Sequence, residues 1–374
     1  MNISISKAAT FIKTFIAANV PCNLIGSPGL GKSDVIKQVA KELNLKVIDF
    51  RLSTADPTDL SGMPFIENGR SDFLPNIAFP IQGDALPPHL DAEGKPIKLP
   101  KLDALGNQET DTNGNLLYVT PHYDGWLLFL DEITNAPMSV QAAAYKIILD
   151  REVGMHPLHK AVRIVSAGNK IDDGAAVTGE MSTALKSRLA HMNLELNIED
   201  WMNWALGAGI HHSITSFIKF RPNLLYQFNP KVETETFPCP RTWEMANRVV
   251  EQVGMNDPSL QSLLSGVIGE GAAVEYMNFT KHFVGLTTFA EVCADPLNAK
   301  IPSENISAMF ALSGSIAAQV DASTLDKVVP FMERMSKEYQ LRTFTDFTKR
   351  KPTLVVHPSL RQWLQSNAPE MTKA

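Results

Sequence analysis

Gly26-Ser27-Pro28-Gly29-Leu30-Gly31-Lys32-Ser33 decides how this chain is read. A glycine, four free positions and then Gly-Lys-Ser make a complete phosphate-binding loop. Its glycines let the backbone curl so that N–H groups point inward at phosphate oxygens. Lys32 is placed to reach the β- and γ-phosphates, and Ser33 to hold magnesium through its hydroxyl. The helix that follows adds its positive N-terminal end.

The flanks fit the motif. Residues 23–25 read as a short strand, and Val35, Ile36, Val39, Ala40 and Leu43 fall at helical spacing. Strand, glycine loop and helix stand in the required order. A second strand is predicted over 46–50. The apolar run 126–130 reads as a strand buried on both faces, ending at Asp131-Glu132. A helix starting near Pro137 follows, with Val140, Ala143, Ala144, Ile147 and Ile148 on one face. Another buried strand, 162–167, ends at Gly168-Asn169. A polar loop, a short helix through Leu185 and Arg188, and a strand over 192–196 close the unit. Alternating strands and helices imply a parallel sheet with ligands at its carboxyl edge.

The predicted domains are an α/β nucleotide-binding domain over 1–197 and an all-α lid with a helical C-terminal extension over 198–374. The first carries a long insertion at about 52–125, rich in proline and glycine, with one or two hairpins. Asp91-Ala92-Glu93-Gly94 and Asp111-Thr112-Asn113-Gly114 are its turn signals. Helices are expected over 201–206, 214–219, 241–250, 272–283, 306–320 and 325–339. No internal repeat is expected.

The composition narrows the function classes. The chain has 374 residues, 44% of them hydrophobic and 20% charged, which fits an ordinary globular protein of two domains. A net charge of −6 gives no bulk reason to expect nucleic-acid binding. Cys22, Cys239 and Cys293 lie far apart without metal-ligand spacing, so buried thiols in a reducing compartment are expected. The N-terminal apolar positions recur with helical period and read as a packed amphipathic helix rather than a signal peptide. No apolar run reaches spanning length, and a cytoplasmic location is expected.

Asp131, after a buried strand, is placed to help Ser33 hold the magnesium, and Glu132 to orient and deprotonate an attacking water. Asn169 ends the next strand, from which its amide can reach the space between γ-phosphate and water. Arg188 can project toward a neighbouring subunit and stabilise a transferring phosphate, with Arg151 and Arg163 as substitutes. Arg241, directly after Pro240, suits a cation that senses the γ-phosphate from a lid helix. His156 and His159 read as exposed hairpin residues and His211-His212 as a loop, because no third metal ligand stands near either pair.

Together these residues resemble an AAA+ ATPase, and more closely a bacterial and phage branch of the MoxR-like ATPases. The strings that carry the likeness are Leu52-Ser53-Thr54-Ala55-Asp56-Pro57-Thr58-Asp59-Leu60-Ser61-Gly62, Asp131-Glu132-Ile133-Thr134-Asn135-Ala136-Pro137 and Val140-Gln141-Ala142-Ala143-Ala144-Tyr145. Pro240-Arg241-Thr242-Trp243-Glu244 and Gly269-Glu270-Gly271-Ala272-Ala273 match on the lid side. The resemblance implies an AAA+-type P-loop NTPase fold that takes ATP and magnesium, in a homo-oligomeric ring, commonly a hexamer. It implies Lys32, Ser33, Asp131, Glu132, Asn169 and Arg241 acting in cis and Arg188 in trans. It also implies chaperone-like remodelling or activation of a protein partner, often one with a von Willebrand factor A-type domain. The segment 81–122 departs from the family pattern.

Two other readings stay open on the sequence. One is a DNA-processing motor, with Lys95, Lys98 and Lys101 of the insertion lining a basic pore. The other is a nucleotide-gated scaffold that rarely turns over.

Overall fold

The computed structural model describes residues 1–170, 173, 181, 183–232, 234–281 and 286–371. The chain divides into two compact units, the first Met1–Leu196 and the second beginning at Asn197.

The first unit opens with β1 (Asn2–Ile3), α1 (Ile5–Ala17), β2 (Cys22–Ile25), α2 (Lys32–Glu42) and β3 (Leu45–Arg51). After the insertion come β8 (Gly125–Asp131), α4 (Met138–Leu149), β11 (Val162–Gly168), α5 (Thr183–Lys186) and β12 (Ala190–Leu194). Six strands form one sheet in the order β1-β12-β2-β11-β8-β3, and every neighbouring pair is parallel. Side-chain alternation sorts β8 between two layers. Trp126, Leu128 and Leu130 join Val140, Ala144 and Ile147 of α4 in one core. Leu127 and Phe129, also fully buried, face the opposite side, where α1 and α2 lie against the sheet. This is the α/β P-loop NTPase fold expected from the sequence. β1 is an addition: two residues pair with β12 through Asn2–Asn193 and Ile3–Leu194 and extend the sheet by one strand.

The insertion starts with α3 (Pro57–Ser61) and a hairpin of β4 (Met63–Glu67) and β5 (Arg70–Leu74). Asp56 caps α3 by accepting from Thr58 N–H, and Asp59 accepts in return from Asp56 N–H. A second hairpin, β9 (Glu152–Val153) with β10 (His156–Pro157), meets this one through His156, whose Nε2 lies 2.9 Å from the Phe73 carbonyl oxygen.

Between these hairpins lies a repeat that hydrophobic periodicity does not reveal. Asp91, Asp103 and Asp111 each accept two backbone N–H bonds at 2.8–2.9 Å on one carboxylate oxygen, from the residues two and four positions on. Three residues after each aspartate stands a glycine with positive φ: Gly94, Gly106 and Gly114 at +78°, +86° and +85°. Each copy is a tight hairpin turn closed by a left-handed glycine. The expectation of no internal repeat is therefore wrong, and the middle turn, Asp103-Ala104-Leu105-Gly106, lies outside the two expected turn signals. β6 (Leu99–Pro100) and β7 (Tyr118–Val119) pair beneath the last two turns. Three backbone bonds close a triangle there: Glu109 N–H to Lys101 C=O at 2.7 Å, Leu117 N–H to Glu109 C=O at 2.9 Å, and Lys101 N–H to Leu117 C=O at 2.9 Å. No side chain from 88 to 124 is buried, so turn and backbone bonds, not a core, define this element.

The second unit contains α6 (Ile198–Gly207), α7 (His212–Phe220), α8 (Pro240–Val253), α9 (Leu260–Ile268) and α10 (Glu270–Thr280) around one core that includes Phe217, Trp243 and Tyr276. Then α11 (Phe289–Ala294), α12 (Ile306–Gln319), α13 (Leu325–Glu333), α14 (Lys337–Arg350) and α15 (Pro358–Met371) build a second core around Phe331, Phe347 and Trp363. The helix predicted over 325–339 is two helices. Ser336 is extended (φ −62°, ψ 152°), and the Gln340 side chain donates to the carbonyls of Glu333 and Met335 freed by the break. His211 and His212 do not form a loop: His211 caps α7 by accepting from Ser213 N–H, and His212 is its first residue. Among the described residues, no helix is long and apolar enough to cross a membrane.

Candidate nucleotide site

The parallel sheet brings the carboxyl ends of β2, β3, β8 and β11 to one edge, and the site is built on them. The glycine loop joins β2 to α2. Gly31 is the N-cap of α2 in the left-handed region (φ 84°, ψ 23°), which a side chain there would strain. That turn aims the first N–H groups of α2 into the loop.

Lys32 is buried and folds back across the loop. Its Nζ donates to the carbonyls of Gly26 at 2.5 Å and Ser27 at 3.0 Å, and to Asn169 Oδ1 at 3.0 Å. Ser33 Oγ donates to Asp131 Oδ2 at 3.2 Å, and Glu132 N–H donates to Asp131 Oδ1 at 2.8 Å. Burial raises the Asp131 carboxyl above its usual range, and the bonds from Glu132 N–H and Ser33 partly oppose that shift. Lys32, Ser33, Asp131, Glu132 and Asn169, predicted from separate stretches of sequence, thus meet at one edge.

Four residues of this edge were not singled out as site residues. Ser53 Oγ donates to Glu132 Oε2, and Arg51 Nε lies 3.7 Å from Glu132 Oε1. Strand register explains both: β3 runs beside β8 with Arg51 opposite Asp131. Glu132 itself is left-handed (φ 57°, ψ 35°), a conformation costing a non-glycine residue about 1–2 kcal/mol. Thr134 Oγ1 accepts from Asn169 N–H at 2.9 Å and so fixes the end of β11. Asp173 accepts from Ser27 Oγ at 3.1 Å.

The arginines separate into different settings. Arg188 is not on a helix but in the turn between α5 and β12, exposed, with its guanidinium 5.2 Å from the Tyr145 ring centroid and its Nη1 2.9 Å from Ser187 Oγ. Arg151 donates to the carbonyls of Val162 and His159, and Arg163 to those of Ile16, Lys160 and Val162. Both substitutes for the trans role are therefore structural clamps. Arg241 is exposed at the second position of α8, in the second unit. His156 and His159 are half-buried rather than exposed: His159 Nδ1 accepts from Ala161 N–H, and its ring packs on Trp126. Among the described residues, no group of three His, Cys, Asp or Glu is arranged to hold a metal. The polar loop after Lys170 lies mostly outside the described residues. A cavity of about 510 Å³ in the second unit, lined by Thr236, Phe237, Ile268 and Gly269 among others, includes none of the predicted site residues.

The donor set fits a nucleoside triphosphate with its magnesium. The loop offers backbone N–H groups and one ammonium to phosphate oxygens, and Ser33 and Asp131 offer two adjacent oxygen ligands of the kind magnesium takes.

No known family profile matches the chain, and neither does any curated protein. Solved structures with a similar course include a candidate ATPase of Cytophaga hutchinsonii, 13% identical over 96% of this chain and 87% of that one, with a TM-score of 0.32. NtrX from Brucella abortus in complex with ADP is 14% identical over 96% and 67%, TM-score 0.38. A RuvB mutant from Thermotoga maritima is 13% identical over 90% and 86%, TM-score 0.35. These likenesses are distant, and the functional reading rests on the chain's own residues.

Proposed function

We propose that this chain is an ATP-hydrolysing AAA+ protein of the MoxR-like type. Its substrate is ATP with magnesium, and it works as a homo-oligomeric ring that remodels or activates a protein partner. One observation carries the proposal: the glycine-loop residues Lys32 and Ser33 are bonded to Asn169 and Asp131, the ends of two different buried strands.

In this reading Lys32 leaves the loop carbonyls to hold phosphate oxygens, and Asn169, released with it, orients the attacking water. Ser33 and Asp131 hold magnesium, which when bound neutralises charge on the phosphates. Glu132 accepts the proton of the water. Arg188, exposed at the surface of its unit, supplies a cation to a neighbouring subunit, and Arg241 senses the γ-phosphate from the helical unit. A von Willebrand factor A-type protein is the first partner class to try. The DNA-motor reading loses support because Lys95 and Lys101 pair with Glu93 at 3.0 Å and Glu109 at 2.6 Å. Intact Glu132 argues against a scaffold that rarely turns over.

Mass photometry of Glu132→Gln with and without ATP tests the assembly. A ring that forms with ATP is expected; a monomer under all conditions would leave Arg188 no neighbour to serve. Mixing Arg188→Ala with Lys32→Ala subunits should restore turnover if the arginine acts in trans. No rescue at any ratio would remove that assignment.

A further inference from the structure

Arg188 is exposed, yet the turn that carries it is pinned to α4. Leu185 before it and Leu189 after it are buried in the core that also holds Ala144, Ile147 and Ile148 of α4. Tyr145, half-buried on the same helix, packs against that core. The Arg188 guanidinium lies over its ring, 5.2 Å from the centroid, and Arg188 Nη1 donates to Ser187 Oγ at 2.9 Å. A guanidinium is drawn to the negative face of an aromatic ring and stays charged there.

A long side chain at the surface gives up rotamer freedom when it fixes on a phosphate. A surface that already holds the guanidinium removes part of that loss before the phosphate arrives. Tyr145 suits this task, because its own ring is set by the core beneath it. Its helix, α4, is also the one that follows Glu132 and the short turn 133–135. A fault in α4 itself would therefore show in the subunit's own site. A fault in aiming Arg188 would show in the neighbour's.

We infer that Tyr145 is a positioning residue: its ring holds the Arg188 guanidinium ready to meet the γ-phosphate of ATP bound by the neighbouring subunit. The inference rests on the proposed reading in which Arg188 acts in trans, and it adds how that arginine is aimed. The guanidinium uses the aromatic face and not the hydroxyl. Phenylalanine can therefore replace Tyr145, and leucine cannot, although leucine still packs on the core.

Phosphate release by the full chain tests this. Tyr145→Leu should lower kcat about 2- to 30-fold, the range of one cation–π contact, with KM for ATP unchanged. Tyr145→Phe should stay within about twofold of wild type. The decisive readout uses mixed rings of two kinds of subunit. Lys32→Ala subunits offer Arg188 but hold no ATP, and Arg188→Ala subunits hold ATP but offer no arginine. Tyr145→Leu added to the Lys32→Ala subunit should cut the restored turnover; added to the Arg188→Ala subunit it should change nothing. Circular dichroism and mass photometry check that each variant folds and assembles, and Tyr145→Gln repeats both placements if the leucine variant does not fold. A loss as large from the Arg188→Ala subunit would make Tyr145 a support of α4 and overturn the inference. Higher turnover from the Lys32→Ala placement would overturn it too, because the ring would then hold the arginine back. Rescue that is blind to Tyr145→Leu removes the inference alone, whereas no rescue even with Tyr145 intact removes the trans reading of Arg188 and the inference with it.

Discussion

Ser53 donates a hydrogen bond to the carboxylate of Glu132, and Arg51 faces the other oxygen of that carboxylate at 3.7 Å. The group read as the proton acceptor is thus held by the last residue of β3 and by the turn, 52–54, that follows it. Ser53→Ala should release it and raise basal kcat about two- to tenfold, roughly 0.4–1.4 kcal/mol in barrier, with KM unchanged. Steady-state phosphate release measures both constants. A fall in kcat would mean that Ser53 holds Glu132 in its working position instead.

Lys32 and Asn169 share a bond yet should fail differently. Lys32→Ala removes the ammonium from the loop and should abolish binding of a fluorescent ATP analogue. Asn169→Ala should keep binding within a few-fold and lose about 10²–10³ in kcat, the usual effect of removing one oriented polar group. Equal losses of affinity in both variants would assign Asn169 to binding rather than to water.

Gly168→Ala probes the joint beneath Asn169. A Cβ there would lie 2.6 Å from Thr134 Cγ2 and 2.8 Å from Thr134 Oγ1, the atom that accepts from Asn169 N–H. Overpacking of this kind costs about 1–3 kcal/mol, so the melting temperature should drop by about 2–12 °C. Differential scanning calorimetry reads it, and an unchanged melting temperature would show that Thr134 can move aside.

The parts of the fold most legible in the sequence were those governed by hydrophobic pattern. The glycine loop, the apolar runs of β8 and β11 and the stripe on α4 all follow from periodicity and burial. Ser53 and Arg51 escaped notice as site residues because their importance comes from strand order, which sets β3 beside β8 and which no local pattern encodes. The repeat in the insertion escaped because its signal is an aspartate and a glycine three apart. At Asp103 the intervening residues are Ala104 and Leu105, which look nothing like a turn. The helix expected through Arg188 ends two residues short of it, because α5 stops at Lys186 and the chain turns there into β12.

Stability of the helical unit should depend on pH through α7. Burial lowers the pKa of His211, and burial with the adjacent His211 and Arg350 lowers that of His212 to about 3. In the unfolded chain both titrate near 6.5. Below that value the unfolded state takes up protons that the folded state refuses, so stability falls as pH drops from 7 toward 4. Urea midpoints at pH 7.5, 6.5 and 5.5 should decline, and His212→Gln should flatten part of the slope. A midpoint that rises on acidification would contradict the neutral buried imidazoles.

The most direct test of the central claim is ATP turnover by purified wild type and Glu132→Gln, with binding of a fluorescent nucleotide followed in the same preparations. The account predicts magnesium-dependent phosphate release by wild type, and a variant that binds nucleotide as tightly but releases none. Full turnover by Glu132→Gln would contradict it, because the edge formed by β8 and the glycine loop would then not be where ATP is cleaved.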